Sequence, residues 1–169
     1  MDIIGEKFSA GEVFVPEMLV SARAMSAGTA ILKPYLVDEN AKPLGKAVVG
    51  TVKGDMHDIG KNLVRMMIEG KGIEVEDLGV DVAPEAFVEY VKSNPDCHLV
   101  GLSALLTTTM PEMANTVKAF EEAGLRDQVK IMVGGAPVTA EFCEEIGADR
   151  YTDDAGEAAV VAAELVQQF

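Results

Sequence analysis

The sequence predicts an α/β protein: a five-stranded parallel sheet preceded by a short, partial helical domain. Three observations carry this expectation. Beyond residue 45, short β-branched or apolar runs alternate with helical stretches that open on Pro, Asp or Thr and close on Gly. Ahead of residue 38, apolar residues recur at spacings of three and four. Between them, residues 38–45 form a polar run with a Pro and a Gly, which suits a linker. The chain is therefore divided into a helical segment, 1–44, and an α/β domain, 45–169.

In the helical segment Val15, Met18, Ala22, Met25, Thr29 and Leu32 share one face; Pro16 fits a first turn and Pro34 ends the pattern. Strands are expected at 47–52, 74–78, 99–103 and 130–133, with a weak fifth at Arg150 and Tyr151. Asp58 is placed to cap a helix that ends near Gly70, and Pro84 to open a second through Val91. Thr109 and Glu112 have the spacing of a capping box for a third, closed by Gly124. Thr139 caps a fourth that ends at Gly147, and Asp154 caps the last.

Strands and helices in alternation imply a parallel sheet covered on both faces. The small size favours the flavodoxin-like (Rossmann-type) order 2-1-3-4-5, in which ligands bind beyond the carboxyl ends of strands one and three, where the winding reverses. In that order the loops after strands one, three and four become neighbours, and the loop after strand two lies outside them.

The formal net charge of −14 over 169 residues argues against nucleic acid and anionic membranes as partners. No stretch is long and apolar enough to span a bilayer, and the first residues do not resemble a signal peptide, so a cytoplasmic protein is expected. Cys97 and Cys143 make neither a CxxC nor a metal spacing and read as reduced thiols.

The unusual residues fall in the three clustered loops. After strand one comes Gly54-Asp55-Met56-His57-Asp58-Ile59-Gly60, after strand three Ser103-Ala104-Leu105-Leu106-Thr107-Thr108-Thr109, and after strand four Gly134-Gly135-Ala136-Pro137. One imidazole at this edge is too little for zinc, which takes about three or four protein ligands. A nucleophilic triad would need Ser103, which is not on a GxSxG elbow. A single imidazole does suffice for a macrocyclic cofactor that brings its other metal ligands with it. Asp55 could then accept the second ring N–H, and Ser103 could donate to Asp55. His98 and Cys97 begin the third strand, at the opposite end of the sheet. The glycines allow backbone shapes, or a close approach of ligand to main chain, that a Cβ would hinder.

These residues resemble a known family. Asp55-Met56-His57-Asp58-Ile59-Gly60 matches the DxHxxG signature of cobalamin-binding domains, Ser103-Ala104-Leu105 their SxL element and Gly134-Gly135 their GG element. The stretch GDMHDIGKNLV is similar to methionine synthase and to corrinoid proteins of methyltransferase systems. GLSALLTTTMPEM is most similar to corrinoid proteins serving methylamines, betaines or methoxylated compounds. The resemblance implies cobalamin bound with its nucleotide base off cobalt and His57 on it. Asp55 and Ser103 would form a proton-linked relay behind the histidine. Ser103, Leu105, Thr107, Gly134 and Gly135 would line the nucleotide tail. The helical segment would be the second half of a four-helix cap over the methyl-bearing face, with Met18, Ala22 and Met25 as candidates for that cover beside a role in core packing. A homodimer could rebuild the bundle from two halves.

The implied function is a methyl carrier that is not catalytic alone. A substrate-specific corrinoid methyltransferase would load it, a second, using tetrahydrofolate or a thiol, would unload it, and a reductive activator would be a further partner. The rivals are a mutase subunit, which would need a large catalytic barrel, and a cobalamin-dependent sensor, which would add a signalling or DNA-binding domain. A phosphorylatable receiver shares the expected fold but needs an Asp after strand three, where Ser103 stands.

Overall fold

The structure, a computed structural model, describes residues 1–32 and 43–169. The strands are β1 (Lys46–Thr51), β2 (Glu74–Asp77), β3 (Cys97–Ser103), β4 (Lys130–Gly134) and β5 (Arg150–Tyr151). They pair in parallel in the order β2-β1-β3-β4-β5, the order expected from sequence. The helices are α1 (Asp2–Ser9), α2 (Val15–Leu32), α3 (Ile59–Glu69), α4 (Pro84–Ser93), α5 (Pro111–Glu122), α6 (Ala140–Glu145) and α7 (Ala155–Val166).

Strand residues alternate between two cores, as the two-residue period of a pleated strand dictates. Val48, Val100 and Ile131 face one side, where Phe87 of α4 and Val117 and Phe120 of α5 close over them. Ala47, Leu99 and Met132 face the other, where Leu63 and Met67 of α3 and Ala159 and Ala162 of α7 cover them. Burial on both faces explains why β1 reads as an unbroken apolar run rather than an alternating one. Edge strand β2 is less buried and carries Glu74 and Glu76.

α1 and α2 lie over the α3/α7 side. Met18 belongs to the second core and Ala22 is also buried, so this part of the α2 stripe packs within one chain. Met25 is half-buried and Val15 exposed. The side chains of Thr29 and Leu32, Pro34, and most of the expected linker lie outside the described residues. α1 had no periodic signal that singled it out. It lies close to α7, where Gly5 approaches Gly156 and the Ser9 hydroxyl donates to Asp154 Oδ1 at 3.0 Å.

The caps divide. Thr139 Oγ1 accepts from Phe142 N at 3.2 Å and Asp154 Oδ1 from Glu157 N at 2.9 Å, as expected. Asp58 takes the N-cap position of α3, but its backbone is not extended and its carboxylate accepts from the Asn62 amide group at 3.1 Å instead. The expected capping box of Thr109 and Glu112 does not form; α5 begins at Pro111 without a side-chain cap, because the Thr109 hydroxyl is engaged elsewhere. No helix among the described residues is long and apolar enough to cross a membrane.

Candidate functional site at the carboxyl edge of the sheet

His57 sits in the loop that leaves β1, and that loop is braced from three sides. Thr51, wholly buried at the end of β1, donates its hydroxyl to the His57 carbonyl at 2.8 Å. Gly54 adopts a φ of +80°, which an L-residue rarely takes, and its N–H donates to Asp81 Oδ1 at 2.7 Å. The Asp81 N–H donates in return to the Asp55 carbonyl at 2.9 Å. The loop after β2 was expected to stand outside the site. It instead holds the histidine loop, because β2 is the hydrogen-bonded neighbour of β1.

Asp55 is completely buried and its carboxylate is saturated with donors. Oδ1 accepts from His57 Nδ1 at 2.7 Å and from the His57 amide at 3.1 Å. Oδ2 accepts from the Leu105 amide at 2.7 Å, the Leu106 amide at 3.2 Å and the Thr109 hydroxyl at 2.9 Å. Burial pushes the carboxyl pKa up. The Leu105 amide, the His57 ring and amide and the Thr109 hydroxyl outweigh it and hold the group well below the usual carboxylate range. An ionised Asp55 can only accept, so Nδ1 of His57 carries a proton, and in the neutral ring the lone pair is left on Nε2. The histidine side chain is 52% exposed, so that lone pair belongs to an accessible, firmly oriented imidazole.

The hydroxyl on Asp55 is that of Thr109, not of Ser103. Ser103 ends β3 and contributes to the wall of a neighbouring cavity; among the described residues it makes no hydrogen bond with Asp55. The turn after β3 explains the difference, since it folds back so that the amides of Leu105 and Leu106 and the Thr109 side chain converge on one carboxylate oxygen. Three successive threonines gave sequence reasoning no means of choosing Thr109. Asp81 and Thr51 were missed as well, because their partners are main-chain groups.

The loops after β1 and β3, which carry the imidazole and the donors to its carboxylate partner, also expose apolar side chains: Met56, Ile59, Leu105 and Leu106, with Ile59 77% exposed. A cavity of about 470 Å³ opens between the sheet and helices α3 and α7. Its mouth carries Gly60, Ser103, Gly134 and Gly135. Leu105 gives its amide to Asp55 and Thr107 stands exposed in the turn; neither lines this cavity. Gly135 serves the fold first: at its φ of +129° an added Cβ would lie 1.9 Å from the Ala104 carbonyl oxygen. His98 stands at the far end of β3, where its ring stacks on Phe169 at 4.4 Å.

The arrangement offers a metal a single imidazole. Among the described residues no three His, Cys, Asp or Glu side chains come together as a ligand set. A half-exposed imidazole, exposed apolar side chains on the same loops and a cavity lined by Gly60, Ser103 and Gly134 fit a macrocycle with a long appendage.

A family model described as a B12 binding domain matches residues 45–164, and a second of that description matches residues 1–33. The dimethylamine corrinoid protein 3 of Methanosarcina mazei is 44% identical over 168 residues, 98% of this chain and 99% of that protein. A cobalamin-binding protein from Desulfitobacterium hafniense DCB-2 superposes with a TM-score of 0.83 at 37% identity, over 96% of this chain and 76% of the other. The methanol:cobalamin methyltransferase complex MtaBC of Methanosarcina barkeri contains a chain that matches with a TM-score of 0.86 at 28% identity, over 99% of this chain and 63% of that one.

Proposed function

This chain belongs to the B12-binding domain family, and from that premise we propose that it is a cytoplasmic corrinoid protein that carries a methyl group on cobalt between two methyltransferases. The observation that carries the reading is the exposed His57 imidazole, held through Nδ1 by a buried carboxylate on a loop that exposes Met56 and Ile59 and leads through Gly60 to a cavity. His57 would bind cobalt through Nε2, with the cofactor's own nucleotide base displaced. When bound, the corrinoid supplies a cobalt centre able to accept and give up a methyl group.

The chain's residues do the rest. Asp55 orients the ring, fixes its tautomer and takes up the charge that ligation draws from the imidazole. Thr109 and the amides of Leu105 and Leu106 hold that carboxylate in place. Met56, Ile59, Leu105 and Leu106 would lie against the ring edge and keep water from it. The cavity between α3 and α7 would receive the nucleotide tail past Gly60 and Gly134. A separate, substrate-specific methyltransferase would load the chain. The similarity to the dimethylamine corrinoid protein 3 of Methanosarcina mazei favours a methylamine as donor. A second methyltransferase would pass the methyl to a thiol or to tetrahydrofolate.

The test begins with electron paramagnetic resonance of the Co(II) form of the reconstituted protein. Coupling to a histidine nitrogen is expected in the wild type and its loss in His57→Ala. After reduction to Co(I), the absorption bands of the bound corrinoid should shift to those of a methylated form when a methylamine and its methyltransferase are added, with release of the demethylated amine, and return when a thiol acceptor and its own methyltransferase are added. Persistence of the coupling in His57→Ala would overturn the ligand assignment. A strong preference for adenosylcobalamin, with no methyltransferase able to act on the reduced protein, would point to a mutase subunit or a sensor.

A further inference from the structure

The cavity beside His57 is polar at its mouth and apolar at its floor. Ser103, Thr152, Asp153 and Asp154 sit at strand ends or just beyond them, at the carboxyl edge of the sheet. Leu99 lies four residues before Ser103 on β3, which is about 13 Å further in at the rise of a strand. Val49 and Met132 from the middles of β1 and β4, and Leu63 and Ile68 from α3, complete that inner part. The main chain offers no partners there. β1 and β3 are paired on both sides, so their N–H and C=O groups are committed to the ladder. The one charged residue in the wall from α3, Lys61, is also committed: its ammonium binds Asp77 at 2.5 Å and Asn62 Oδ1 at 2.9 Å.

From this polarity gradient we infer that the cavity selects among corrinoids by the lower nucleotide base, taking apolar bases in preference to purines. The inference rests on the cobalamin reading above and deepens it. A benzimidazole brings a single free ring nitrogen once it has left cobalt, and a cresol linked through its oxygen brings none. An adenine brings several ring nitrogens and an exocyclic amine, all of which lose water on entry and, past the polar groups of the strand ends, meet the side chains of Val49, Leu63, Ile68, Leu99 and Met132. Each unmet polar group weakens binding by roughly ten-fold, within a wide range. Shape discriminates less, because the two-ring bases are of similar size.

The experiment is equilibrium dialysis of the corrinoid-free full chain against four probes: cobalamin, a cresolyl cobamide, an adeninyl cobamide, and cobinamide, which lacks the nucleotide. Cobalamin and the cresolyl form should bind at least ten-fold tighter than the adeninyl form, and cobinamide should be weak. The cresolyl probe cannot coordinate cobalt through its base, so it separates the preference of the cavity from the cost of taking a base off the metal. Met132→Gln, close in volume to the native residue and carrying an amide, should narrow the gap between cobalamin and the adeninyl form. Equal affinity for the adeninyl form and the other two complete cobamides overturns the inference while leaving the cobalamin reading intact. Cobinamide binding as tightly as cobalamin overturns it too, since the floor would then be unused. Failure of every probe to bind removes the cobalamin reading itself.

Discussion

His57 and Asp55 are two positions apart in the chain, yet the pair works only because partners some fifty residues away complete it. Asp55 alone would be a buried charge of high cost; five donors make it a fixed acceptor. Thr109 is the one side-chain hydroxyl among those donors, so it is the residue to vary. Thr109→Val should weaken histidine ligation of cobalt, with roughly a ten- to hundred-fold loss in corrinoid affinity or in transfer, the usual effect of removing such a partner. Thr109→Ser should restore most of it. Ser103→Ala, by contrast, should leave the histidine coupling in the resonance spectrum unchanged, since Ser103 does not touch Asp55. Equal effects of the Thr109 and Ser103 variants on that coupling would refute the assignment.

Helix α3 begins two residues after His57, so whatever fixes its start also fixes the histidine loop. The anchor is an ion pair: Lys61, almost wholly buried, binds Asp77 at the end of β2, and Arg65 adds a contact to Asp77 at 3.4 Å. Burial raises the Asp77 pKa, but the Lys61 ammonium and the Gly79 amide lower it further, and the net shift is downward. A depressed carboxyl stabilises the fold above its unfolded pKa of about 4 and loses that contribution as pH falls through the folded value. Asp77→Asn should therefore cost about 3–5 kcal/mol near neutral pH, because it strands a buried ammonium. The difference from wild type should begin to shrink as pH falls below about 4, where the unfolded carboxyl takes up its proton, and should be lost once pH has passed the lower folded value. Urea denaturation at neutral pH and in acid checks both parts; a variant as stable as wild type at pH 7 would show that Lys61 finds other partners.

For the molecule as a whole, the cavity means that part of the space between the sheet and helices α3 and α7 is left for a ligand to fill. Anything that binds the folded state alone stabilises it by mass action, by about 2.7 kcal/mol at a hundred times its Kd. For a domain of this size that corresponds to a rise in Tm of roughly 5–10 °C. Calorimetry with saturating cobalamin should show the rise, and His57→Ala should keep the share contributed by the tail in the cavity. No shift in the wild type would mean that the cavity does not receive the ligand. The packing of Met18 and the burial of Ala22 within the chain also show that the helical segment needs no second copy to cover that part of its stripe.

The sequence by itself determined the strand order and the place of the DxHxxG histidine in the loop that leaves β1. These follow from local information: β-branched runs, Gly and Pro at boundaries, and a DxHxxG loop contained within six consecutive residues. Two of the helix caps were legible for the same reason. Only the tertiary structure decided which hydroxyl reaches Asp55, that Asp81 of the β2 loop braces Gly54, and that α1 and α2 lie on the α3/α7 side. Those choices depend on where separate segments converge. Ser103, Thr107, Thr108 and Thr109 are alike in chemistry, and only the fold of the turn after β3 brings one of them to 2.9 Å from a buried carboxylate. The same turn took Thr109 away from the capping role its spacing suggested, because an ionised group without water outcompetes a helix terminus that can be hydrated.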